Sequence, residues 1–103
     1  MTRAALDVSP LVGRPGLRLA GEVSLSTHTT WEGALESLPA MGRLPCLELA
    51  AVTFVDVAGT AALALTAQRL GNGRRIIVDR PPPSLLRTLE TFWSGLAAIE
   101  VTG

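Results

Sequence analysis

The alternation of apolar and polar residues predicts two short strands near the start of the chain. Residues 4–9 form the first candidate strand, and residues 17–23 form the second, which begins with a Leu-Arg-Leu alternation. Such alternation is typical of a strand that buries one face. Between the two, glycine and proline recur from Pro10 to Gly16, and these residue types interrupt regular structure. The chain is therefore expected to begin with two strands separated by a turn-rich segment.

A first helix is predicted after the second strand, because apolar residues there recur three and four positions apart and share one face. These residues are Trp31, Ala34, Leu35 and Leu38. Serine and threonine residues precede them, and the spacing of Thr29 and Glu32 is that of a capping box. Pro39 and Gly42 are expected to end the helix.

The middle of the chain carries its most apolar segment, residues 46–55, which predicts a central strand covered on both faces. An Ala- and Leu-rich helix is predicted over residues 58–70. Gly71 follows at the position that often takes left-handed backbone angles after a helix. Asp56 lies between the strand and the helix, where an aspartate can cap the helix N-terminus.

A strand, a helix and a last strand are predicted in the final third of the chain. Residues 75–79 form the third core strand. The prolines at 81–83 cannot continue a central strand, but they can begin the helix that follows. Phe92 and Trp93 are adjacent on that helix and point about 100° apart, so we expect one of them to be exposed. A short strand is expected over residues 97–101.

The predicted order of elements is β-β-α-β-α-β-α-β. Helices that alternate with strands imply crossover connections and a mainly parallel sheet, and the extra strand at the front makes the sheet mixed. A length of 103 residues is that of one domain. We predict a single α/β domain over residues 1–103, with its core at about residues 4–101.

Composition narrows the classes of function. The formal net charge is zero, so the chain has no broad electrostatic attraction to nucleic acid or to an anionic membrane. No apolar stretch approaches the ~20 residues of a spanning helix. One cysteine, Cys46, cannot form an internal disulfide, and one histidine, His28, cannot make a metal cluster. We therefore expect a cytoplasmic protein that needs no cofactor or metal and binds neither nucleic acid nor membrane.

The individual polar residues favour structural roles. Asp56 follows a strand as a receiver-domain phosphoacceptor would, but that chemistry needs an acidic pair for Mg²⁺ and a lysine, and the chain contains no lysine. We interpret Asp56 as a helix N-cap. His28 has no carboxylate at ligand spacing and is interpreted as a surface residue, and Cys46 as a small buried apolar residue. Because no nucleophile and base can be paired, we do not expect an enzyme.

Two segments resemble the STAS domain family of bacterial anti-sigma-factor antagonists. Residues 21–27, GEVSLST, resemble the GE(L/V)D-x-x-T segment of that family. Residues 47–59, LELAAVTFVDVAG, resemble its hydrophobic strand that ends in D-S-S-G. The spacing of the two segments and the strand–helix–strand tail also match, from about Ala4 onward. The resemblance implies a small STAS-like fold with four to five strands in a mixed, mainly parallel sheet and three to four helices.

The resemblance also implies a function as a switch that binds another protein. An antagonist of this family docks an anti-sigma factor, which is also a serine kinase of the histidine-kinase-like ATPase type, and thereby frees a sigma factor for transcription. Phosphorylation of the second serine of D-S-S-G abolishes docking. The resemblance implies a partner-binding site made of Asp56, Val57, Ala58, Gly59, Thr60 and Ser24.

The chain departs from the family pattern at the phosphorylated position. Val57 and Ala58 replace the two serines, and Ala58 has no hydroxyl group that could accept a phosphate. Thr60 carries the nearest hydroxyl, but two residues along a helix is about 200° of rotation, so it is a poor substitute. Ser24 replaces the aspartate of the GE(L/V)D segment. We therefore expect a non-enzymatic interaction domain without the phosphoswitch.

Two further possibilities stay open from the sequence. The domain could be a ligand-sensing or scaffold module of a bacterial signalling complex, which predicts a pocket beside Asp56 at the carboxyl ends of the strands. A homodimer is the second possibility.

Overall fold

The computed structural model describes residues 4–103, and the first three residues of the predicted domain lie outside this range. The strands are β1 (Leu6–Pro10), β2 (Gly16–Val23), β3 (Cys46–Val55), β4 (Ile76–Asp79) and β5 (Ile99–Thr102). The helices are α1 (His28–Ser37), α2 (Val57–Leu70) and α3 (Pro83–Phe92), and short 3-10 turns lie at Leu25–Thr27 and Leu38–Met41. The predicted order of elements is confirmed.

The five strands form one sheet in the order β1-β2-β3-β4-β5. β1 runs antiparallel to β2, whereas the β2–β3, β3–β4 and β4–β5 pairs are all parallel. The sheet is therefore mixed and mainly parallel, as predicted. Since the parallel strands share one direction, β2 and β3 end side by side, with Val23 opposite Val55. The segments that follow these two strands therefore lie next to each other at the carboxyl ends of β2 and β3.

A single apolar cluster lies between one face of the sheet and the helices. The predicted apolar residues of the first helix are all buried in it, and so are those of α2 and α3 that face the sheet. The helical members are Trp31, Ala34, Leu35, Leu38, Leu63, Ala67, Leu70, Leu85 and Leu89. Phe92 is exposed and Trp93 half-buried, which confirms the expectation for this adjacent pair.

The prediction that the central strand is covered on both faces is wrong for its second half. β4 pairs only with Cys46–Glu48 of β3, and the buried helical residues join the cluster on one face of the sheet. The rest of β3 therefore extends beyond β4. Its exposed residues are Ala50, Ala51, Thr53 and Phe54.

A buried carboxylate lies on the sheet face opposite the helices. Glu48 accepts a hydrogen bond from Arg18 Nε at 2.6 Å and one from the Ala50 N–H at 2.7 Å. Burial alone would raise the pKa of Glu48, but the hydrogen bonds from Ala50 and Arg18 outweigh it, and the pKa is lowered. Glu48 is thus held ionised in a buried position, largely by these two donors.

We expect Arg18→Met to destabilise the protein by about 1–3 kcal/mol at neutral pH, because a buried carboxylate oxygen loses its partner. A lowered folded-state pKa contributes stability that is present above the unfolded pKa of about 4.3 and is lost as the pH falls through the folded value. The variant should therefore lose less stability than the unmodified protein between pH 5 and pH 3. Urea unfolding at several pH values measures both effects.

Arg75→Met is the matched control, because Arg75 and Glu100 form an ion pair in which both side chains are exposed. We expect it to change stability by less than about 1 kcal/mol at neutral pH. Equal losses in the two variants at neutral pH would contradict the role given to Arg18.

None of the helices described between residues 4 and 103 combines the length and the apolar character needed to cross a bilayer.

Candidate functional site

The junction between β3 and α2 is built around Asp56. Asp56 Oδ1 accepts a hydrogen bond from the Gly59 N–H at 2.7 Å, so the predicted N-cap is confirmed. The Asp56 N–H donates to the Val23 carbonyl oxygen at 3.1 Å, which ties the junction to the end of β2. The Asp56 carbonyl oxygen accepts from both the N–H and the hydroxyl of Thr60, each at 3.0 Å. Asp56 is thereby fixed through its side chain and its backbone.

The neighbouring connection from β2 to α1 is closed by a threonine. The Ser24 N–H donates to Thr27 Oγ1 at 3.0 Å, and that hydroxyl donates to the Glu22 carbonyl oxygen at 2.9 Å. The prediction of a capping box at Thr29 and Glu32 is wrong, because α1 begins at His28 and both residues already lie within the helix. The chain turns earlier, as Thr27 closes a 3-10 turn before the helix.

His28 joins the two connections. Its Nε2 lies 2.9 Å from Asp56 Oδ2 and 3.0 Å from Oδ1, and both side chains are partly buried. His28 is half-buried, and the interpretation that it lacks a carboxylate partner is wrong. The two residues are 28 positions apart in the sequence, and only the side-by-side ends of β2 and β3 bring them together.

Gly59 lies in a confined position below the junction. A Cβ atom on Gly59 would come within 2.7 Å of Val23 Cγ1 and 2.9 Å of Asp56 Oδ1. The Gly59 carbonyl oxygen accepts a buried hydrogen bond from Trp31 Nε1 at 2.9 Å. The first turn of α2 is therefore attached to α1 from inside the core.

Three apolar side chains face solvent around this rigid frame. Val57 is 57% exposed and Leu25 is 86% exposed, and Ala58 is exposed as well. We call Leu25, Val57 and Ala58 the junction surface. Sequence reasoning missed Leu25, although an apolar residue between Ser24 and Ser26 in a capping segment was an available signal.

Comparison with known proteins identifies the family. A model described as "Mlab, STAS domain" matches residues 8–97, which is most of the chain. The chain belongs to the STAS domain family. No curated protein matches.

Two solved structures support the STAS fold. One is an anti-sigma factor antagonist from Mycobacterium paratuberculosis, with a TM-score of 0.68 and 23% identity over 86% of this chain and 77% of that one. The other is the anti-sigma factor antagonist SpoIIAA in its unphosphorylated form, with a TM-score of 0.63 and 17% identity over 96% of this chain and 89% of that one. At these identities the likeness extends to the fold, and the predicted STAS-like architecture is confirmed.

The STAS domain presents only some of the predicted site residues at its surface. Val57 and Ala58 are accessible, and Asp56 and Ser24 are half-buried beside them. Gly59 is buried, and its backbone bonds to Asp56 and Trp31 instead of facing solvent. Thr60 is fully buried, because its hydroxyl turns inward to the Asp56 carbonyl oxygen, so the structure removes Thr60 from the predicted docking surface.

Several clefts of this STAS domain lie away from the junction. One of about 380 Å³ lies between α3 and β5, and one of about 240 Å³ is lined by α1, α2 and Arg74. Asp56 lines neither, so these clefts do not provide the pocket that a ligand-sensing module predicts there. Within residues 4–103 no three His, Cys, Asp or Glu side chains come together as a metal site. Cys46 is buried as predicted, and burial raises the pKa of its thiol.

Proposed function

We propose that this STAS domain is a non-enzymatic interaction domain that binds a regulatory protein through the junction surface. Its partner would be an anti-sigma factor of the histidine-kinase-like ATPase type, and its role would be that of a cytoplasmic antagonist that regulates transcription. The observation that carries the proposal is the exposure of Val57 and Ala58 where the family motif has two serines.

The rigidity of the junction supports a docking role. Asp56 is held by Gly59, Thr60 and His28, and the helix beneath it is tied to Trp31. Exposed apolar side chains on a rigid frame lose little conformational entropy when a partner covers them. Surface apolar groups that lie together favour contact with another protein.

The chemistry at residue 58 supports docking that is not switched by phosphate. Ala58 offers a methyl group, and the Thr60 hydroxyl is buried and already bonded to the Asp56 carbonyl oxygen. A phosphate group at this position would add about −1.5 to −2 charge to the contact. Without an acceptor at residue 58, the kinase activity of the partner cannot place a phosphate group at that position.

We expect Val57→Asp to weaken binding to such a partner by about tenfold or more, because it places an unpaired charge in an apolar contact. Calorimetric titration against each histidine-kinase-like anti-sigma factor encoded in the same genome measures the effect. Val12→Asp is the matched control: Val12 is also exposed, but it lies in the β1–β2 connection at the opposite end of β2. It should bind as the unmodified protein does.

The same proteins and binding assay test whether phosphorylation at residue 58 could control docking. Ala58→Asp should weaken binding like Val57→Asp, whereas Ala58→Ser should bind normally until it is phosphorylated by a kinase partner and ATP. Failure of the unmodified protein to bind any of these factors would remove the antagonist role. A stoichiometric phosphoprotein formed from the unmodified chain would refute the absence of a switch.

A further inference from the structure

The outer edge of β5 carries unpaired backbone groups. The Ile76 N–H donates to the Ala98 carbonyl oxygen and the Arg80 N–H donates to the Thr102 carbonyl oxygen, each at 2.8 Å. In a strand, successive residues direct these groups to opposite sides, so the N–H and C=O of Val101 point away from β4. β5 is the last strand of the sheet, and no described strand pairs with that side.

The two edges of the sheet differ in how they are protected. Free edges are commonly guarded by a very short strand, by proline, lysine or other charged side chains, or by bulges. β1, at the opposite edge, contains Pro10 and Asp7. β5 contains neither proline nor lysine, and its one charged residue, Glu100, is paired with Arg75 at 3.0 Å. β5 is short, with four residues, but its side chains leave its outer backbone groups accessible to another strand.

An apolar cleft runs along the same edge. The cleft of about 380 Å³ between α3 and β5 is lined mainly by apolar side chains. Its apolar lining consists of Leu86, Leu89, Trp93, Leu96, Ile99 and Val101. Val101 is 44% exposed, and Phe92, which is 64% exposed, packs edge-to-face on Trp93 with ring centroids 5.9 Å apart. A strand added to β5 could place its own apolar side chains against this cleft.

We propose that β5 pairs antiparallel with β5 of a second copy of this chain and joins two sheets into one of ten strands. In the register centred on Val101, the two Val101 residues exchange both backbone hydrogen bonds, and each Glu100 lies opposite Thr102 of the other copy. A register centred on Glu100 would instead oppose two like charges. It would also require the Ile99 N–H, which already donates to the Leu96 carbonyl oxygen at 3.2 Å.

The self-complementary register favours a second copy as the occupant. With a two-fold axis at Val101, the N–H of each Val101 donates to the carbonyl oxygen of the other Val101. Each copy also adds its Val101 side chain to the apolar surface beside the cleft. Charge does not oppose the contact, because the chain has a formal net charge of zero and Glu100 is neutralised by Arg75 within its own chain. The junction surface lies at the ends of β2 and β3 and remains free in this dimer.

Sedimentation equilibrium over a series of protein concentrations tests the proposal. We expect the unmodified protein to dimerise and Val101→Lys to raise the dimer dissociation constant by about tenfold or more, since a lysine on an edge strand blocks pairing. Val8→Lys is the control, because Val8 lies in the opposite edge strand and is 39% exposed. It should dimerise normally.

Hydrogen exchange of the unmodified protein provides a readout that does not depend on the folding of a variant. The Val101 amide should exchange more slowly as protein concentration rises, because its N–H becomes bonded in the dimer. A protein that stays monomeric at every concentration would overturn the proposal. A dimer that Val101→Lys leaves intact would also overturn it. So would a Val101 amide whose exchange rate is the same at every protein concentration, and β5 would then be available to a different partner.

Discussion

Trp31→Ala is expected to lower the free energy of unfolding by about 3–5 kcal/mol. Trp31 is fully buried and is the largest side chain in the apolar cluster. Its removal leaves a cavity between α1 and the sheet, and the Gly59 carbonyl oxygen loses its buried donor. A domain of this size has a total stability of about 5–15 kcal/mol, so the variant should be close to unfolding at 37 °C. Urea unfolding followed by circular dichroism measures the loss.

Two further variants separate the causes. Trp31→Phe keeps most of the ring volume but removes the N–H, so it should cost less than Trp31→Ala and report mainly the bond to Gly59. Trp93→Ala is the control for tryptophan removal, because Trp93 is only half-buried, and its cost should also be smaller. A loss in Trp93→Ala as large as that in Trp31→Ala would contradict the central position given to Trp31.

The architecture was predictable because the hydrophobic periodicity of each segment matches its final environment. The strand predicted over residues 46–55 is β3 without a change of boundary, and the helix predicted over 58–70 is α2 with one residue added. Gly71 has the positive φ of 63° that its place after the helix predicted, but its ψ of −178° is extended and differs from that of the left-handed helix. The residues that end an element and the residues that form its apolar face are near one another in the sequence. They can therefore be recognised without knowing which elements pack together.

The failures concern contacts between elements. The pairing of His28 with Asp56 depends on two strands ending side by side, which no local pattern states. The exposure of the second half of β3 depends on the short length of β4 and on all helices lying on one face. The apolar run was misleading because alanine and threonine are found both in cores and on surfaces, and because the large apolar side chain of Phe54 is exposed here.

The junction surface combines both kinds of information. The D-V-A-G segment is visible in the sequence, and so is the missing hydroxyl at Ala58. Which residues of that segment reach solvent is decided by the structure. Val57 and Ala58 point outward, whereas Gly59 and Thr60 point into the fold. The docking surface that we propose is therefore narrower along α2 than the motif suggests, and it includes Leu25 on the neighbouring connection.

Gly59→Ala is expected to destabilise the protein by about 1–3 kcal/mol, although alanine favours helices over glycine. The new methyl group would lie 2.7 Å from Val23 Cγ1, 2.9 Å from Asp56 Oδ1 and 3.1 Å from Val55 Cγ1. Both valines are buried and their branched side chains have few alternative rotamers, so the clash cannot be relieved locally. Relief requires movement of Asp56 or of the first turn of α2, which carries the junction surface.

Gly33→Ala is the matched control, because Gly33 lies in α1, is exposed, and has nothing within 4 Å of a Cβ position. There the higher helix propensity of alanine acts alone, and we expect a gain of about 0.5–1 kcal/mol. The same substitution should thus change stability in opposite directions at the two glycines. Urea unfolding measures the difference, and titration with a binding partner should show weaker binding for Gly59→Ala only. A stabilising Gly59→Ala would mean that the space beneath the junction is larger than these distances allow.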